Sequence, residues 1–115
     1  MSSDCVFCRI ARKEIPAQLV FEDDELVAFR DLAPQAPTHV LVIPKRHVAT
    51  LLELTAADAA LLGRLQLAAV SIARQLGLDQ GGFRLVTNCL ESAGQSVFHV
   101  HLHLLGGRRM TWPPG

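Results

Sequence analysis

The chain has 115 residues, half of them hydrophobic, and its eleven basic and eleven acidic side chains give a formal net charge of zero. That length allows one domain with one substantial core, and the charge balance excludes a global field drawing the protein to nucleic acid or a membrane. Met1-Ser2-Ser3-Asp4-Cys5 lacks a basic, apolar leader pattern, no run of about 18 apolar residues occurs, and the three cysteines are an odd number, so a cytoplasmic protein without disulfides is expected.

Apolar residues at Val6, Phe7, Ile10 and Ala11 predict a short helix over 5–13, closed by Ile15-Pro16. Strands are predicted over 18–22 and 25–31, joined as a tight hairpin at Asp23-Asp24. A loop over 32–37 leads into a buried strand over 38–44. A long helix is predicted over 55–76. Thr55 and Asp58 have capping-box spacing, Leu61, Leu65, Ala69, Ile72 and Leu76 form one stripe, and Gly77 suits the C-terminal end. A second apolar set, Leu62, Leu67, Ala68 and Val70, exceeds what packing on one sheet face needs and predicts a homodimer. Residues 82–88 alternate as a strand, 89–96 are a polar loop, 97–105 are the last strand and 106–115 an irregular tail. One long and one short helix with five strands predict an α+β fold around a mainly antiparallel five-stranded sheet, exposed on one face.

In the last predicted strand, His99, His101 and His103 share one face, while Phe98, Val100, Leu102 and Leu104 share the other. A lone histidine is usually a satisfied structural residue. Three of the chain's five at alternate positions point to chemistry or metal instead, since burying them without partners would cost a few kcal/mol each. At about 3.3 Å of rise per residue His99 and His103 lie roughly 13 Å apart, too far for one zinc ion with ligand nitrogens about 2 Å away, so the set must be divided between roles. The absence of a carboxylate from this strand also weighs against a zinc hydrolase using the histidines directly.

Cys5-x-x-Cys8 has the spacing of a thiolate pair on zinc, and His47 and His99 are the candidates to complete a structural tetrahedron. A pair of buried cysteines without metal is the competing reading, because one CxxC is only half a site. Gly94-Gln95-Ser96 precedes the histidines directly, so its backbone N–H groups and the Ser96 hydroxyl can converge on an anion beside His101, with an amide contact from Asn88.

The segment from Gly94 to Leu105 contains His-φ-His-φ-His-φ-φ, with φ apolar, and resembles the signature of the histidine triad (HIT) superfamily. Arg12-Lys13-Glu14-Ile15-Pro16-Ala17, Phe21-Glu22-Asp23-Asp24, Pro34-Gln35-Ala36-Pro37-Thr38-His39, Val42-Ile43-Pro44-Lys45 and Trp112-Pro113-Pro114-Gly115 look like its Hint branch, so the resemblance covers nearly the whole chain. It implies a homodimeric purine nucleoside phosphoramidase that cleaves nucleoside 5′-monophosphoramidates and acyl-adenylates without a catalytic metal. His101 would be the nucleophile that forms a nucleotidyl-histidine, His103 would contact phosphate and His39 would support His101. Ser96, with the Gly94 and Gln95 backbone and Asn88, would hold the phosphoryl oxygens. Asp31 would accept the ribose hydroxyls, and Val6, Phe7, Ile10, Phe29, Leu32 and Leu41 would enclose the base. Trp112 lies in the tail that, by resemblance, reaches the partner protomer's site. The structural zinc at Cys5, Cys8, His47 and His99 follows other HIT proteins, since many Hint members lack the cysteine pair. Cys89, Arg30 and Arg109 match no role.

Two other functions share these residues. A dinucleoside polyphosphate hydrolase of the Fhit branch uses the same histidines, but the Trp112-Pro-Pro-Gly ending counts against it. A nucleotide-binding scaffold with vestigial catalysis would not need His101 intact.

Overall fold

The computed structural model describes residues 5–115; residues 1–4, part of the segment lacking a leader pattern, lie outside the described residues. Seven regular elements follow in chain order: α1 (Val6–Ala11), β1 (Leu19–Glu22), β2 (Leu26–Arg30), β3 (Thr38–Pro44), α2 (Ala59–Gln75), β4 (Phe83–Val86) and β5 (Leu102–Gly106). The strands form one antiparallel sheet in the order β1-β2-β3-β5-β4. The expected α+β architecture with five strands, one long helix and one short helix is present.

Local chemistry accounts for the joints. Asp23 ends β1 by accepting the backbone N–H groups of Glu25 and Leu26, both at 2.8 Å, which folds the chain into the β1–β2 hairpin. Thr55 and Asp58 form the expected capping box, with the Thr55 N–H 2.9 Å from Asp58 Oδ2. The box opens a 3₁₀ turn, Ala56–Asp58, which runs into α2. Gly77 ends the helix with φ at +78°, a left-handed conformation that glycine adopts without a Cβ penalty.

The sheet is covered on both faces, which corrects the expectation of one exposed face. Leu26, Ala28, Val40, Val42, Leu102 and Leu104 face α2 and pack with Leu65, Ala69 and Ile72. The alternate residues Val27, Phe29, Leu41 and Ile43 face the other way, where Phe7 and Ile10 of α1 cover them. This double burial explains the unbroken apolar run Val40-Leu41-Val42-Ile43 in β3, because a strand buried on both sides has no polar alternation. Residues 56–75 have the length and mean hydropathy, 1.3, of a membrane span, yet α2 lies along the sheet as its covering helix.

The last strand is shorter than its alternation predicts. It begins at Leu102 rather than at residue 97; residues 97–99 form bends and 100–101 are irregular. The cause is a change of partner: the Val100 N–H donates to the Val48 carbonyl at 2.7 Å, drawing the chain off the sheet toward the segment that follows His47. His99 and His101 therefore lie outside the paired strand, yet the alternation persists: Val100, Leu102 and Leu104 pack into the core under α2, while Phe7 of α1 touches His99 and His101, and His103 lies beside His101.

Candidate functional site

β3 and β5 are neighbours, and their register sets Leu41 opposite His103 and His39 opposite Leu105. His39 and His103 thus lie diagonally on the α1-covered face, close enough for their rings to meet. His39 Nε2 is 2.8 Å from His103 Nδ1 and 3.4 Å from Asp31 Oδ2. Gln35 donates its backbone N–H to His39 Nδ1 at 3.0 Å. With Nδ1 accepting, a neutral His39 carries its proton on Nε2 and donates it to His103 Nδ1, which leaves the His103 proton on Nε2. The expected support of His101 by His39 is therefore corrected: the ring of His39 bonds to His103.

His101 is held by its own chain. Its Nδ1 lies 2.8 Å from the His99 carbonyl, and a carbonyl only accepts, so Nδ1 carries the proton and Nε2 presents a lone pair. The Phe7 ring stands edge-on to it, with centroids 5.1 Å apart, and the His103 ring is 4.9 Å away. Burial pushes the pKa of His101 down against the opposing His99 carbonyl, and burial likewise lowers that of His39 against the pull of Asp31. His103 falls to about 4, from burial first and then from the neighbouring His101 and His39. The rings are accordingly neutral at neutral pH, the form in which imidazole is a nucleophile.

A cavity of about 260 Å³ opens between α1 and this face of the sheet. Val6, Phe7, Ile10, Phe29 and Leu41 form its apolar wall, and Asp31, Ser96, His101 and His103 gather at its polar end. Nine residues singled out in the sequence are thereby brought together. Leu32 also borders the cavity but is 98% exposed, at its rim. Pro16 and Ala17 line it too, through the return of the chain after α1, as does Val97 from the segment before β5, and no motif in the sequence assigns any of the three to the site.

The remaining expected contacts stand apart from the cavity. Gln95 is buried with its side-chain amide fully used: Oε1 accepts the Leu90 N–H at 2.7 Å, and Nε2 donates to Ala49 O at 2.7 Å and Val97 O at 3.2 Å. It pins the loop carrying Ser96 and has only its backbone to offer a ligand. Gly94 adopts φ of +100° beside the Asn88 side chain, so glycine is required there for the turn into Gln95. Trp112 is 81% exposed and its ring lies against the Arg84 guanidinium, 5.9 Å away, so within one chain it does not reach the cavity.

The second cluster is built on α1 as well. The sulfur atoms of Cys5 and Cys8 and the Nδ1 atoms of His47 and His99 all lie within 4.8 Å of one another. Cys8 Sγ is 3.2 Å from His47 Nδ1 and 3.5 Å from His99 Nδ1, and Cys5 Sγ is 3.4 Å from His99 Nδ1. A tetrahedral zinc ion with bonds of about 2.3 Å to sulfur and 2.0–2.1 Å to nitrogen sets such atoms roughly 3.5 Å apart. His99 Nε2 donates to the Pro44 carbonyl at 2.7 Å, which turns the Nδ1 lone pair toward the thiols. Burial, with Cys5 alongside, pushes the Cys8 thiol up to about 11, so thiolates here need a cation for compensation. The four residues fit a closed structural zinc site, and they are the four expected from the sequence.

A second trio, Asp31, His39 and His103, is equally close but suits a metal badly. The Gln35 N–H occupies His39 Nδ1, so the Nε2 facing the trio bears a proton rather than a lone pair.

Comparison with known proteins agrees with this geometry. The HIT domain profile matches residues 12–110. The chain is 44% identical over 108 residues to the purine nucleoside phosphoramidase of Escherichia coli strain K12, covering 94% of this chain and 91% of that protein. It is 47% identical over 114 residues to the 14 kDa zinc-binding protein of Brassica juncea, with 97% and 100% coverage. The crystal structure of a HIT family hydrolase from Legionella pneumophila Philadelphia 1 superposes with a TM-score of 0.96 at 54% identity, over 97% of this chain and 100% of that one.

Proposed function

From the premise that the chain belongs to the HIT domain family, we propose that it is a hydrolase of purine nucleoside 5′-monophosphoramidates and related acyl-adenylates, working through a nucleotidyl-histidine at His101. The observation that carries this reading is the His101 Nδ1–H to His99 carbonyl bond, which leaves the Nε2 lone pair at the polar end of the cavity. The name of the Escherichia coli relative supports the substrate class.

His101 Nε2 attacks the α-phosphorus, a P–N⁺ bond forms, and the bond to the leaving amine breaks as the Ser96 hydroxyl passes a solvent proton to that amine, a proton that the attacking water of the second step returns to solvent. Water then attacks the same phosphorus, releasing nucleoside monophosphate and returning His101 to its starting form. His103 Nε2–H and the Ser96 hydroxyl, both of which line the cavity, are the donors assigned to the phosphoryl oxygens as charge builds on them. Asp31 offers carboxylate oxygens to the ribose, and the wall of Val6, Phe7, Ile10, Phe29 and Leu41 takes the flat, apolar faces of the base.

Structural zinc belongs to the same proposal, held by Cys5, Cys8, His47 and His99. It would supply a clip between α1, the segment after β3 and the chain leading into β5. So does a homodimer, supported by Leu67 standing 70% exposed on α2 and by the exposed Trp112. Incubation with adenosine 5′-monophosphoramidate tests the activity. Wild type should release AMP and, when quenched early, yield a peptide containing adenylyl-His101 by mass spectrometry, whereas His101→Ala should do neither. Equal AMP release by both proteins would overturn the mechanism.

A further inference from the structure

We propose that Asp31, His39 and His103 act as one hydrogen-bonded line through which the ribose hydroxyls fix the phosphate-contacting imidazole, so that the site selects ribonucleotide over dideoxyribonucleotide substrates in the chemical step as well as in binding. This inference rests on the phosphoramidase reading and adds to it a sugar specificity exerted through His39.

The line begins at a backbone amide. Because the Gln35 N–H fills His39 Nδ1, the single proton of a neutral His39 sits on Nε2. Two acceptors face that proton, His103 Nδ1 at 2.8 Å and Asp31 Oδ2 at 3.4 Å. One N–H makes one well-aligned bond at a time, and a carboxylate oxygen is the stronger acceptor even though it is the farther one here. Asp31 cannot swing away freely, since its Oδ1 accepts the Ala33 N–H at 2.8 Å. Its second oxygen is left to His39 and to whatever enters the cavity it lines.

A sugar hydroxyl donating to Asp31 competes with His39 for that carboxylate and leaves the His39 proton to His103. His103 then accepts on Nδ1, its own proton is confined to Nε2, and Nε2–H is the group presented to phosphate. Without the hydroxyl, the carboxylate at 3.4 Å competes with His103 for the single His39 N–H, and the 2.8 Å bond that fixes the His103 tautomer is weakened by the sharing. His39 is 5% exposed and does not line the cavity, so it acts as a positioning residue between two groups that do.

A cycle of kinetic measurements tests this with adenosine and 2′,3′-dideoxyadenosine 5′-monophosphoramidates as substrates for wild type, His39→Asn and His39→Gln. Asparagine is too short to reach His103, whereas glutamine places an amide N–H where Nε2 stood. Wild type and His39→Gln should lose about tenfold in kcat on the dideoxy substrate as well as rising in KM, while His39→Asn, slower on both, should show the KM rise alone. Equal kcat losses in wild type and His39→Asn would overturn the proposal, as would a wild-type penalty confined to KM.

If wild type turns over neither substrate, the phosphoramidase reading fails. The line is then decided by ¹⁵N NMR of the histidine rings. Adenosine, which has no phosphate, should move His103 toward the pure Nε2–H tautomer, and 2′,3′-dideoxyadenosine should not. Identical His103 spectra with the two nucleosides would overturn it.

Discussion

His99 and His101 are joined by a bond of 2.8 Å between the carbonyl of the first and Nδ1 of the second, and the ring of His99 turns in the opposite direction toward Cys5 and Cys8. One residue therefore belongs to both clusters: its side chain completes the proposed zinc site while its backbone sets the tautomer of the proposed nucleophile. Disturbing the first should reach the second through a single peptide unit.

Purified protein should accordingly contain about one zinc per chain, and Cys5→Ser should lose it. Losing one ligand of a closed site places the stability cost at about 3 kcal/mol or more, at the high end for single substitutions. Elemental analysis and urea unfolding measure the two effects. Zinc-free wild type of unchanged stability would refute the metal site. Chelation should also lower kcat, because the His99 carbonyl no longer has a fixed position.

Gln95→Leu retains bulk but removes the amide that satisfies Leu90, Ala49 and Val97. Stranding one backbone donor and two acceptors costs about 1–3 kcal/mol for each fully buried group, and less for these part-buried ones, so a loss of roughly 2–4 kcal/mol is expected in chemical denaturation. Phosphate-dependent binding of AMP should weaken while that of adenosine changes little, because the loop this amide anchors carries Ser96. Isothermal titration with both ligands distinguishes that outcome from a general loss of the fold.

Acid should destabilise the protein through its buried histidines. His103 has a folded-state pKa of about 4 against an ordinary 6.5, and burial lowers His39, His99 and His101 in the same direction. Between those two pH values the unfolded chain binds protons that the native chain refuses, so these histidines make stability fall as pH falls through that window. Above pH 6.5 these groups contribute no slope. Melting temperatures measured across the range should show the decline, and His103→Asn should make it shallower.

Thr55→Ala provides a contrasting case. It removes the hydroxyl that accepts the Ala57 N–H at the head of α2, a cap worth about 1 kcal/mol, at a residue that does not line the cavity. Stability should fall by that amount with kcat and KM unchanged.

The features legible in the sequence were those encoded by neighbours along the chain. The Asp23 turn, the Thr55–Asp58 box and the Leu61–Leu76 stripe each depend on spacings of a few residues, and each appears in the structure. The four metal-site residues were also identified, although the strand argument used to divide the histidines rested on a strand that ends short of His101. Alternation alone cannot distinguish a paired strand from a chain drawn away by Val48 and the cysteine cluster. Burial of the second sheet face was missed because six residues of α1 are too few to announce a covering layer. The His39–His103 bond needed the β3–β5 register, which no local pattern specifies.

Six residues are also too few for a helix to persist by its own hydrogen bonds in water. Yet α1 starts from Cys5, whose sulfur accepts the Cys8 N–H, and it carries Val6, Phe7 and Ile10 over the cavity. Under the proposed function, a zinc ion held by Cys5 and Cys8 and a nucleotide held against Val6, Phe7 and Ile10 draw on the same ordered turn. Their affinities must be linked with equal strength in both directions: whatever factor zinc adds to nucleotide binding, the nucleotide returns to zinc.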